Sequence, residues 1–229
     1  MQTLIGIVVV IIGYILGSIP FGLIIVKLKT GKDVRNVESG RTGGTNEVRA
    51  AGFGAGLLTA ILDVLKGAAA VWVAEAILPE NHLVHILAPL AAILGHNYSL
   101  FLTRRDETGK LRFHGGAGGA PALGGALGLW PLVFPIVLGA GALIWFTVGI
   151  ASLTTMAIGL VVTIAFVVFS WQGDLQPINI WYGVIAEFFL LWALRPNIKK
   201  LLAGNERVVK FSLNGWLRAR KAAQAESQK

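Results

Sequence analysis

Phe113 to Gly173 reads FHGGAGGAPALGGALGLWPLVFPIVLGAGALIWFTVGIASLTTMAIGLVVTIAFVVFSWQG, 61 consecutive residues without an Asp, Glu, Lys or Arg. A helix of about 20 apolar residues crosses a hydrocarbon core of roughly 30 Å, so this stretch holds two or three membrane helices. The rest of the 229-residue chain agrees: 55% of it is apolar, 14% is charged and its mean hydropathy is +0.69. Soluble globular classes are excluded, and the fold class expected is an all-α, polytopic membrane helix bundle. The absence of Cys removes disulfides, thiolate metal sites and Cys nucleophiles. The four His (His82, His85, His96, His114) show no ligand spacing such as HExxH, so neither a metal nor another cofactor is expected.

A net charge of +8 would ordinarily suggest nucleic acid, but the distribution argues otherwise. Of the 20 Lys and Arg, six lie in 27–49, four in 104–112 and nine in 195–229, with Lys66 alone in an apolar stretch. Basic clusters at span ends mark cytoplasmic loops beside anionic lipid, so membrane lipid is the expected partner and nucleic acid is not. The first apolar run, Thr3 to Val26, has its charges after it, the opposite of a cleavable signal. The N-terminus is therefore expected outside and the 27–52 loop in the cytoplasm. Runs at about 53–78 and 83–102, joined by Pro79-Glu80-Asn81-His82, return the chain to the cytoplasm at Arg104. If the tail from Arg195 is cytoplasmic too, an even number of spans lies between Arg112 and Arg195; four fit better than two. The sum is seven spans, N-out and C-in, with Pro131, Pro135, Ser152–Thr155 and Gln172–Pro177 as breaks and one span short or tilted. One integral-membrane domain over 1–221 is expected. Ile198, Leu201, Leu202, Val208 and Val209 among lysines suggest amphipathic tail segments on the inner leaflet, and 222–229 reads as a disordered basic tail.

The first cytoplasmic loop gathers Ser39, Gly40, Arg41, Gly43, Gly44, Thr45, Asn46 and Arg49. Glycines let backbone N–H groups approach an anion, hydroxyls and amides add donors, and Arg grips phosphate oxygens in a fork. This is the composition of a phosphate cradle, though not a P-loop, because GxxxxGK[ST] is absent. A second Gly-rich run, Gly115-Gly116-Ala-Gly-Gly119, follows Arg104, Arg105, Lys110 and Arg112. Alone it reads as helix packing, since Gly116, Ala120, Gly124 and Gly128 fall at four-residue intervals. With Asn197 to Glu206 reaching the same face, one anion site built from three loops emerges. Within the apolar runs, Asp63 and Lys66 are i, i+3 neighbours able to neutralise each other, as a site or as a clamp, and Glu187 stands alone in the last span. His96 ends the third span, where an imidazole serves acid–base work or anchors the helix.

Together these elements resemble the bacterial membrane acyl-phosphate:glycerol-3-phosphate acyltransferases, the PlsY family. Gly17-Ser-Ile-Pro20, Gly31-Lys-Asp-Val-Arg35, Ser39-Gly40 through Gly43, Thr45-Asn46 and Arg49 are similar to its first motif, and Asp63-Val-Leu-Lys-Gly67 to its DxxKG. Gly95-His96 and Gly115-Gly116 resemble its second motif, and Asn197-Ile198 with Gly204-Asn-Glu206 its third. The resemblance implies transfer of a fatty acyl group from acyl phosphate to the 1-hydroxyl of glycerol 3-phosphate, giving lysophosphatidic acid at a cytoplasmic site of the bacterial plasma membrane, without cofactor. It implies that Ser39, Thr45, Asn46 and Arg49 hold and polarise phosphate, with Ser39 and Arg49 central to catalysis. Gly40, Arg41, Gly43, Gly44, Gly115 and Gly116 would line the phosphates, and Asn197 would orient glycerol 3-phosphate. His96, Asp63, Lys66 and Glu206 would support the site.

Four features depart from the family pattern. The Lys of its GGKG falls on Ala117; Arg41 stands where the family's SGNxGATN has Asn; the third motif's His falls on Leu194; and Thr103 to Arg112 is extra. A phosphate-binding cation is thus lost and another gained, and Arg41 is the first candidate to replace it, with Lys110 and Arg112 next. Two further readings stand beside the enzyme. A non-catalytic relative would bind phospholipid precursors or a partner, and an anion transporter would use Asp63, Lys66 and Glu187 as a pathway.

Overall fold

The computed structural model describes residues 1–105 and 107–226. Helices α1 (Gln2–Ser18) and α2 (Phe21–Thr30) are followed by a single turn at Val34–Asn36 and by α3 (Gly44–Ala51). Then come α4 (Phe53–Ile77) and α5 (His82–Asn97), the strands β1 (Ser99–Arg105) and β2 (Leu111–His114), and the helices α6 (Gly119–Leu129), α7 (Val133–Thr147), α8 (Ala151–Gln172), α9 (Asn179–Leu202) and α10 (Leu213–Glu226). By length and composition, three segments among the described residues are long and apolar enough to cross a membrane: Gln2–Thr30, Phe53–Ile77 and Ala151–Gln172. α6 and α7 are shorter apolar helices.

Helices associating in lipid gain little from apolar burial and much from close backbone approach, so small residues face inward. On α1 the large Leu4, Ile7, Ile11 and Ile15 are exposed, whereas Gly6, Val9, Gly13 and Gly17 are buried. A Cβ on Gly13 or Gly17 would strike the Ala88 or Ala92 carbonyl of α5. The order of these contacts, with Gly6 against Val84, makes α1 and α5 run in the same direction. Likewise Gly67 lies against Pro121 and Gly128 against Val71, so α4 and α6 are parallel at backbone contact. Contacts of Gly159 with Glu187 and Gly183 with Thr163 make α8 and α9 antiparallel. A larger apolar core of α5 to α9 surrounds Ile93, Phe166, Tyr182 and Leu190, and the Tyr182 hydroxyl donates to the Ala122 carbonyl at 2.7 Å. Glu187 is half-buried against Gly159, and its Oε2 has no hydrogen-bond partner among the described residues.

Four elements differ from the sequence reading. The first apolar run breaks at Ile19-Pro20, because Pro disfavours helical geometry in the residue before it. The third run stops being helical at Asn97, and the extra segment closes an antiparallel hairpin with Ser99 opposite His114 and Arg105 opposite Leu111. The all-α expectation therefore misses one small sheet. The last long helix continues through Arg195 to Leu202, where a polar tail is expected. Pro196 cannot donate to the Trp192 carbonyl one turn back; the Arg195 Nε takes that acceptor at 2.9 Å while its guanidinium lies 3.4 Å over the Trp192 ring. Finally, 222–226, expected to be disordered, completes α10, consistent with the helix propensity of its alanines. Residues 227–229 of that expected tail lie outside the described residues.

Candidate active site

The site begins where the first apolar run breaks. With α1 ended at Ser18, the Ile19 carbonyl is no longer inside a helix and accepts the Lys66 Nζ at 3.0 Å. The same ammonium is 2.9 Å from Asp63 Oδ1 and 3.0 Å from His96 Nδ1, and both Lys66 and Asp63 side chains are 3% exposed. Asp63, Lys66 and His96 thus form one buried cluster joining α4, α5 and the α1–α2 break. Of the two sequence readings of Asp63 and Lys66, the geometry is that of a clamp beneath the loops. Ser99 Oγ reinforces the junction by donating to the Ser18 carbonyl at 2.6 Å.

Above the cluster, loop 1 is shaped by Asn46. Its buried amide nitrogen donates to the carbonyls of Val34, Val37 and Arg41 at 3.0–3.2 Å, so its N–H groups are committed to the loop rather than displayed to solvent. Gly40 has φ 68° and turns the chain there; Ser39 is exposed, with its Oγ accepting from the Arg41 backbone at 3.4 Å. Gly43 caps α3, Gly44 lets α3 approach the Gly56 carbonyl of α4, and Thr45 is half-buried beside them.

Arg41 binds the three loops together. One guanidinium nitrogen donates to the Gly116 carbonyl at 3.1 Å, and the other to the Ala193 carbonyl at 2.7 Å and Asn197 Oδ1 at 3.2 Å. The charge that is new in loop 1 is therefore beside Ala117. The Asn197 Nδ2 donates to Glu206 Oε1 at 3.0 Å, and Arg207 pairs with Glu38 at 2.7 Å. Partial burial draws the exposed-edge Arg49 below its ordinary value, while the charges of Glu38 and Glu206 oppose that shift and Arg207 adds to it. Three guanidinium groups and two carboxylates thus surround one patch, with Ser39 and Asn197 at its edge. Gly115 and Gly116 lie against the His96 and Asn97 backbone and the His96 ring, where a Cβ would collide, so this glycine run packs as well as borders the patch.

A family model for glycerol-3-phosphate acyltransferases matches residues 7–204. This chain belongs to the glycerol-3-phosphate acyltransferase family. A glycerol-3-phosphate acyltransferase of Rubrobacter xylanophilus is 39% identical over 202 residues, covering 88% of this chain and 94% of the relative. Another, of Dehalococcoides mccartyi, is 34% identical over 215 residues, covering 87% and 93%. Two crystal structures of PlsY, an integral membrane glycerol 3-phosphate acyltransferase, superpose on this fold. The glycerol 3-phosphate form gives a TM-score of 0.74 at 31% identity, covering 89% of this chain and 95% of that one. The lysophosphatidic acid form gives 0.73 at 28%, covering 90% and 96%.

Within this family member, Glu47 is a site neighbour that sequence reasoning misses. It is 0% exposed, its carboxylate lies against Gly22 of α2, and neither oxygen has a hydrogen-bond partner among the described residues. Burial, supplemented by the charge of Asp63, pushes its carboxyl up to about 8. A raised acid binds its proton more tightly in the folded state, so stability falls as pH rises from about 4.5 to about 8. Glu47→Gln should flatten that dependence and be the more stable protein at pH 9, by on the order of 3–5 kcal/mol. Thermal midpoints in detergent from pH 5 to 9 check this; a variant whose profile parallels the parent's would show that the carboxyl does not titrate there.

Proposed function

We propose that this protein transfers a fatty acyl group from acyl phosphate to the 1-hydroxyl of glycerol 3-phosphate, releasing phosphate and forming lysophosphatidic acid. Family membership carries the acyl transfer to glycerol 3-phosphate; the convergence of Arg41, Arg49, Asn197 and Ser39 on one patch supports the reading of two phosphorylated substrates. The hydroxyl oxygen attacks the acyl carbonyl, the mixed-anhydride C–O bond breaks, and a phosphate oxygen of the donor takes the hydroxyl proton. The protein's part is positioning and stabilisation of negative charge.

Residues 1–221 act as one integral-membrane domain with seven spans, N-out and C-in, in a bacterial plasma membrane. The alternating helix directions support this, with Met1 at the end of the bundle away from the patch. So does the charge: 27–49, 104–112 and 195–229 hold 19 of the 20 Lys and Arg. Glycerol 3-phosphate arrives from the cytoplasm and the long-chain donor from the bilayer, since an acyl chain is costly to expose to water.

Arg41 supplies the cation missing at Ala117. Purified protein given acyl phosphate and glycerol 3-phosphate should form lysophosphatidic acid. Arg41→Ala should lower kcat/KM tenfold to hundredfold, the equivalent of a charge-assisted bond of about 1.5–3 kcal/mol. Adding Ala117→Lys should recover part of that loss. Full activity in Arg41→Ala would move the role to Lys110 or Arg112. No transfer by the parent, with transfer by Ala117→Lys, would identify a lapsed enzyme.

A further inference from the structure

At the end of the bundle away from the loops, the α4–α5 turn, the α6–α7 turn and the α8–α9 loop border an open cavity of about 400 Å³. Asn179 of its wall and Asn197 of the patch are separated by 18 residues of α9, about 27 Å at 1.5 Å per residue, so the two sites are distinct. Pockets of roughly 300–1,000 Å³ suit small organic ligands.

Glu75 from the end of α4 and Asp174 from the α8–α9 loop face the cavity together with the His82 and His85 imidazoles of α5, and no Lys or Arg lines it. The sequence holds no Lys or Arg between Gly67 and Thr103 or between Phe113 and Leu194, so these connections bring no permanent cation to the two carboxylates. Independently of that charge, Asn179 is 7% exposed, lines the cavity, and its side chain makes no hydrogen bond among the described residues. The Asn179 amide atoms are not sealed from solvent, so a group in the cavity can reach them. Trp130 adds an aromatic wall, held against Phe169 with ring centroids 4.1 Å apart. No three His, Asp or Glu among the described residues converge closely enough for a metal ion.

We propose that this cavity binds an organic ammonium group. Glu75 and Asp174 supply the counter-charge, the Asn179 amide oxygen accepts an N–H, and the Trp130 ring faces the cation. Such a group arrives either on a free diamine from water or on the ethanolamine headgroup of a neighbouring phospholipid. The two sources are separated by titrating detergent-purified protein with putrescine at low salt and by scoring retained phosphatidylethanolamine against phosphatidylglycerol in native mass spectra. Glu75→Gln with Asp174→Asn should weaken the bound amine at least tenfold, and Asn179→Ala should weaken it severalfold; thermal midpoint and acyl transfer should stay unchanged in all of them. Asp174→Asn alone, in an exposed loop, gives a second reading should the double variant fold poorly. Putrescine binding that the variants lose supports a soluble amine, and selective retention of the ethanolamine lipid that they lose supports a headgroup. Binding of neither amine to the parent protein, or equal binding to parent and variants, overturns the proposal.

Discussion

Arg49→Ala is expected to cut acyl transfer by 10²–10³ in kcat/KM while leaving expression and the thermal midpoint of the detergent-purified protein unchanged. The side chain is exposed on the last turn of α3, within the fields of Glu38 and Glu206, so no packing is lost with it. What is lost is a bidentate donor at the patch proposed to hold phosphate, and removing one preorganised donor of developing negative charge costs about 3–4 kcal/mol. Arg49→Lys, which keeps charge but not the fork, should fall between the two. Ser39→Ala should also reduce transfer without destabilising the loop, because Ser39 Oγ makes a contact of 3.4 Å with the Arg41 backbone. Parental rates in both alanine variants would remove these residues from the site.

Asp63→Ala should fail in the opposite order, losing folded protein before any kinetic effect can be measured. It would strip the carboxylate from an ammonium whose side chain is 3% exposed, leaving Lys66 the Ile19 carbonyl, His96 Nδ1 and the Phe21 ring 5.8 Å away. Removing one partner of a buried pair typically costs about 3–5 kcal/mol. Asp63→Asn, which keeps an acceptor in place, should retain more folded protein than Asp63→Ala. Yields and thermal midpoints of the two variants decide it; an Asp63→Ala protein as stable as the parent would mean the cluster is not a clamp.

The membrane bundle was legible from one charge-free stretch because a bilayer constrains composition more tightly than it constrains packing. The three-loop patch was legible for a related reason: basic and Gly-rich segments repeat at each return to one face. Arg41 beside Ala117 is where such reasoning reached a contact. Other parts were hidden by their scale. A hydropathy window runs over Ile19-Pro20 and sees one span, although the proline itself marks the break. The hairpin was hidden because Leu100, Phe101 and Leu102 extend an apolar helix, and its turn at Thr108-Gly109 became informative only once β1 and β2 were paired. Asn46 and Glu47 reverse the usual expectation, since both are buried while Arg49 nearby is exposed. No periodicity in an eight-residue helix tells which polar side chain turns inward. Residue type places Asn46 with the phosphate ligands; its position under three loop carbonyls is a property of the folded loop.

The hairpin leaves the bundle at Ser99 and comes back opposite it at His114, so its two ends are neighbours in space. One side-chain link from it to loop 1, among the described residues, is an ion pair at 3.1 Å between Arg104 and Asp33, and Asp33 is held more closely by Arg35 at 2.6 Å. A surface pair of that kind contributes about 0–1 kcal/mol. Ser99 and Leu102 are buried and tie the base of the hairpin to the bundle, whereas its outer turn is exposed. That turn is a natural place to graft a label onto a working enzyme.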